Sequence, residues 1–138
     1  MGIMWTVWPL DDKMKEWLNQ IGIAYQNTPS RFPTGKEIKQ LVTNLNLQGF
    51  NVRVCDNGVG KTWQALIASE VGAGEWANLM VTTFSGDDQE QELYFEKGSE
   101  SLIVLLLKQL AQKCGPVVLI ADAGGDPQII TASTSVPS

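Results

Sequence analysis

Apolar residues recur along this chain in two rhythms, one near 3.6 residues and one of two. The helical rhythm comes first after a short strand at residues 5–8, which Pro9 stops. Met14, Trp17, Leu18 and Ile21 stand at i, i+3, i+4 and i+7, while Lys13, Lys15, Glu16 and Asn19 point elsewhere. This predicts a helix from an N-cap at Asp11 or Asp12 to about Gly22, with one stripe, Trp17 included, on a core. Residues 26–33, with two prolines and a serine, read as a loop. Thr34-Gly35-Lys36-Glu37 has capping-box spacing, and Ile38, Leu41, Val42 and Leu45 form the stripe of the helix it starts, which ends at Gly49.

From Phe50 the period becomes two. Phe50, Val52 and Val54 alternate with Asn51, Arg53 and Cys55; Asp56-Asn57-Gly58 makes a turn, and residues 62–69 return as a second strand. Residues 76–84 and 92–95 read as third and fourth strands, joined by the loop at residues 85–91. Connections this short imply an antiparallel meander. Ser99 is placed as the cap of a helix to about Lys113, apolar around most of its circumference and therefore central to the core. Gly115-Pro116 ends it, residues 117–121 form a buried strand, and residues 128–131 form a last short one. The order is β-α-α-β-β-β-β-α-β-β, an α+β domain with a mainly antiparallel sheet and helices packed on one face. Residues 1–131 form this single domain, with residues 132–138 as a flexible tail.

Composition narrows the chemistry. The 138 residues contain no histidine, which excludes a Ser-His-Asp triad, a histidine zinc site and a proximal haem histidine within this chain. The longest apolar run, residues 102–107, is far short of the roughly twenty residues that span a bilayer. No secretory signal is visible, and Cys55 and Cys114 suit reduced, buried thiols, so the cytoplasm is the expected compartment. Charge is segregated: residues 1–69 carry seven Lys/Arg against five Asp/Glu, and residues 70–138 carry three against ten. The acidic half disfavours nucleic acid and anionic membranes and favours encounter with a basic protein.

Several motifs invite sharper readings. Gly58-Val59-Gly60-Lys61-Thr62 ends like a phosphate loop, but Cys55 stands where the first glycine belongs and strands flank it, so a hairpin turn is expected. Asp87, Asp88, Glu90 and Glu92 lack the glycine and terminal glutamate of a calcium loop, and no metal or cofactor is assigned. Asp122 and Asp126 bracket Ala123-Gly124-Gly125, as a carboxylate pair for acid–base work or as a strand-connecting turn. Trp76, Met80 and Phe84 share one face of the third strand. If its aliphatic face meets the helices, these three lie on the open side beside the acidic loop, as anchors for a partner. The candidate partner-binding set is Glu70, Glu75, Trp76, Met80, Phe84, Asp87, Asp88, Glu90 and Glu92.

The segment Leu110-Ala111-Gln112-Lys113-Cys114-Gly115-Pro116-Val117-Val118-Leu119-Ile120-Ala121-Asp122-Ala123-Gly124-Gly125-Asp126-Pro127 runs helix, Gly-Pro, strand and Gly-Gly turn. With the small, acidic α+β plan and no catalytic set, it resembles the immunity proteins of bacterial toxin systems. That resemblance implies a protein without enzymatic activity that occludes a basic toxin domain. In size, acidity and helix–strand–strand–strand order the chain also resembles type III secretion chaperones, dimers that bind extended effector segments, but it lacks a clear helix after residue 131. Oligomeric state stays open.

Overall fold

The computed structural model describes residues 4–69 and 74–134. The elements follow the predicted order: β1 (Met4–Pro9), α1 (Asp12–Ile21), α2 (Gly35–Leu47), β2 (Asn51–Asp56), β3 (Trp63–Ala68), β4 (Trp76–Val81), β5 (Tyr94–Gly98), α3 (Glu100–Cys114), β6 (Val117–Ala121) and β7 (Gln128–Ile130). All seven strands join one sheet in the order β2-β3-β4-β5-β1-β6-β7. Every pairing is antiparallel. Strands β2 to β5 are the expected meander, and α3 then carries the chain over to β6 on the far side of β1. Among the described residues no helix is long and apolar enough to cross a membrane.

Strand alternation decides what is buried. Trp5 and Val7 of β1, Trp63, Ala65 and Ile67 of β3, Ala77, Leu79 and Val81 of β4, and Val117 and Leu119 of β6 face one side and are buried there. Against them lie the α2 stripe and Leu102, Ile103, Leu106, Leu107 and Leu110 of α3. Helix α3 is apolar nearly all round because it meets both the sheet and α2.

Helix starts follow the sequence signals. Asp11 caps α1 by accepting from Met14 N at 2.9 Å. Thr34 and Glu37 close the capping box in both directions. Ser99 does not cap α3 with its side chain; its hydroxyl instead accepts from Trp76 N, pinning the start of β4. Gly35 is required where α2 begins, because a Cβ there would stand 2.7 Å from the Phe84 ring.

The expectation of helices on one face holds for α2 and α3 but not for α1. Leu18 packs with Leu10 and Val118, and Val118 points away from the main core. An apolar stripe shows which side of a helix is buried, not which side of the sheet receives it. The connector between α1 and α2 therefore crosses from one face to the other. Ser30 Oγ accepts from Leu10 N and donates to the Pro116 carbonyl, and Arg31 N donates to the Cys114 carbonyl. Gly115, at φ 86°, fits this crossing, since a Cβ would run into the Pro29 carbonyl.

Residues 57–62 close the β2–β3 hairpin, so the glycine–lysine–threonine motif joins two strands and opens no helix. Cys55 is exposed, correcting its expected burial, because β2 is an edge strand whose burial pattern alternation alone does not reveal. At the other end, Thr131 and Thr134 form a hydrogen-bonded turn. Residues 135–138 lie outside the described residues.

Candidate functional site

Among the described residues the sheet face opposite α2 and α3 is covered at one end only. Helix α1 shields Val118, Ile120 and Ile129 there. Over the rest, alternation presents Met4, Thr6 and Trp8 from β1, Leu66 from β3, Trp76, Asn78 and Met80 from β4, and Tyr94 and Glu96 from β5. Trp8 is 42% exposed and Trp76 38%. Polar neighbours are ordered between them: Gln64 donates to Asn78 at 2.9 Å, and Trp8 Nε1 donates to Thr6 Oγ1 at 3.2 Å.

One region of this face is a groove, and pairing register creates it. Strand β1 pairs with β6 through Pro9 but with β5 only from Met4 to Thr6. Strand β4 also loses β5 after Met80, opposite Tyr94. The chain preceding Tyr94 bends towards the start of α2, where Gln91 N donates to the Pro33 carbonyl and Glu90 bridges Thr34. Between the end of β1 and the residues following β4 there is thus no intervening strand. A hollow of about 650 Å³ occupies this place, walled by Trp8 and Thr6 on one side and Thr82 and Thr83 on the other. Phe32 and Tyr94 also line it, and Trp8 and Phe32 stack at a tilt with centroids 6.4 Å apart.

The lining carries two carboxylates, Glu90 and Glu92, and no basic residue. Glu90 Oε1 accepts from Phe32 N at 3.0 Å, which fixes its carboxylate at the wall. Buried Gln91 holds the loop beneath: its Oε1 accepts from Ser85 N, and its Nε2 donates to the carbonyls of Gly86 and Gln89. A second hollow, of about 470 Å³, adjoins the first through Trp8 and Phe32 and is lined by Met14 and Trp17 of α1.

The sequence-chosen residues do not form one patch. Trp76, Met80, Glu90 and Glu92 lie on the open face or in its groove. Phe84 does not: it is 3% exposed, its ring covered by Lys39 at 4.7 Å. Strand β4 ends at Val81, and the bend that follows breaks the alternation, turning Phe84 inward. Asp87 belongs to the helix side, where it pairs with Lys39 at 2.7 Å; that hydrogen bond, with Asp56 nearby, raises the Lys39 pKa. Glu75 accepts from Ser101 at the start of α3. Asp88 is exposed in the loop, and Glu70 lies outside the described residues.

Trp17, expected in the core, is 37% exposed, because only Leu18 of its stripe is fully buried. Asp122 is structural: its carboxylate accepts from Met4 N at 3.0 Å, closing the end of β1. Asp126 is exposed. Among the described residues no three His, Cys, Asp or Glu side chains gather as a metal site. The sequence reading missed Met4, Trp8, Phe32 and Tyr94; alternation in β1 separates Trp8 from Trp5, but only strand order shows that its side is uncovered.

No protein-family model, curated protein or solved structure matches the chain.

Proposed function

We propose that this chain is a cytoplasmic protein-binding module that blocks a basic partner by occlusion, as an immunity protein neutralises its toxin, with no reaction of its own. The observation that carries the reading is the sheet face left open among the described residues, which presents exposed Trp76 and partly buried Met80 on β4 and, towards its other end, a groove lined by Met4, Trp8 and the carboxylates Glu90 and Glu92. Large rings beside carboxylates suit association in two stages. Charge brings a basic surface in, and desolvated aromatic anchors then hold it.

Protection of a cell against the cognate toxin is the direct test. Wild-type protein protects. The Trp76→Ala variant forms a complex that dissociates faster and protects less, whereas Glu90→Gln with Glu92→Gln slows association and weakens its salt dependence. Equal protection and equal rates for all three proteins contradict the reading, as does a partner with a net negative surface.

A further inference from the structure

Three regions stand out: the exposed edge strand β2, the polar hollow between α2 and α3, and the gap in the sheet before β5. The edge of β2 carries nothing that names an occupant. The α2–α3 hollow mixes Lys36 and Lys113 with Glu37 and several carboxamides, so it selects no charge. The gap does better.

We infer that the gap between β1 and the residues following β4 receives an extended, basic segment of the partner, which lies beside β1 as an added strand and sets a lysine or arginine side chain between Glu90 and Glu92. This rests on the protein-binding reading and names which part of the face is used and by what.

Three observations converge. Past Thr6, the edge of β1 that faces β5 has no strand beside it, although its other edge stays paired to Pro9. Val7 lines the groove, and because Met4 N and Met4 O bond on the β6 side, alternation along β1 aims the Val7 backbone groups at the gap. A backbone edge bordering a hollow is the geometry on which an extended peptide adds as a strand. Finally, the walls select charge. Two carboxylates with no cation among the lining residues, beside the rings of Trp8, Phe32 and Tyr94, favour an ammonium or guanidinium group whose stem covers the aromatic surface. An acidic segment would meet repulsion, and a helix is about twice as wide as the space one absent strand leaves.

The test uses the full chain and an acetylated, amidated hexapeptide alternating valine and arginine, followed by amide and indole NMR at low salt. Expected are shifts confined to Val7, Trp8, Thr82, Thr83 and Tyr94, and an affinity reduced about tenfold in the Glu90→Gln, Glu92→Gln double variant, whose amides keep the acceptor facing Phe32 N. A peptide with glutamate in place of arginine does not bind, and one N-methylated at alternate backbone amides binds at least about tenfold more weakly. Shifts elsewhere, no binding at millimolar peptide, or equal binding by either control peptide overturns the inference. If the peptide fails while partner binding still depends on Trp76, the added strand is wrong and the reading of the face stands. If the peptide binds as described but no partner depends on the face, the reverse holds.

Discussion

The two faces of one sheet are built from the same strands and do opposite things. On the helix side, Ala65, Ile67, Ala77, Leu79 and Val81 are inaccessible to solvent beneath α2 and α3. On the other side, alternation leaves Met4 and Trp8 of β1 and Trp76 and Met80 of β4 partly in water, with Glu96 of β5 on the same face. The helix side is a stability surface, aliphatic and closed. The open side keeps exposed apolar area, and among the described residues a single short helix, α1, covers only the β6–β7 end. Large residues left exposed together on one face, next to charge, are what separates a binding surface from scattered surface apolarity.

The comparison breaks most severely if a charge placed on the helix side is tolerated. Leu106→Asp puts a carboxylate where no solvent reaches, costing several kcal/mol, comparable with the whole stability of a domain of this size, roughly 5–15 kcal/mol. Its expected outcome is loss of the cooperative thermal transition. Next comes a matched pair of ring truncations. Phe84→Ala should cost about 3–5 kcal/mol and Trp76→Ala about 1 kcal/mol or less, measured by urea denaturation, because one ring is buried and the other lies on the open face. Equal losses would erase the distinction. Gln91→Leu should cost about 1–3 kcal/mol by leaving Ser85 N unpaired beneath the groove and taking one of two donors from each of the Gly86 and Gln89 carbonyls, and it should also alter the Trp8 environment seen by fluorescence.

Smaller effects sharpen the picture on the helix side. Arg31 binds Glu37 through two hydrogen bonds, at 2.6 and 2.8 Å, and this holds the Glu37 carboxyl below its ordinary pKa. The resulting stabilisation is present above the unfolded-state pKa and is lost as pH falls through the lowered folded value. Since the pair is partly exposed, Glu37→Gln should remove about 1 kcal/mol or less and flatten the acid limb of the stability–pH curve. The two thiols divide in the same way. Burial pushes Cys114 up to about 11, so at pH 8 in native protein an alkylating agent should modify exposed Cys55 and leave Cys114 untouched.

Much of this was legible in the sequence, and what was not has a physical cause. Element order followed from local signals that act within a few residues: the Thr34–Glu37 box, the α2 stripe, and the glycines after helices. The partition of β4 into Leu79 inward and Trp76 outward also followed from its period of two. That period misled at Phe84, because alternation survives only while the strand does and β4 ends at Val81. It misled at Trp17 for another reason: a helix at the margin of a sheet buries only the part of its stripe that meets the sheet. The groove was invisible, since it depends on where β5 begins relative to β1 and β4, a register set by long-range pairing.

The most direct measurement is site-specific photo-crosslinking in the source cell, with the photoreactive residue placed in turn at Trp8, at Trp76 and, on the outer surface of α2, at Gln40. The account predicts that positions 8 and 76 capture the same basic protein and that position 40 does not, with capture at 8 and 76 falling when Glu90 and Glu92 are both changed to glutamine. Capture from position 40 alone, or capture at 8 and 76 that ignores the two glutamates, would contradict it.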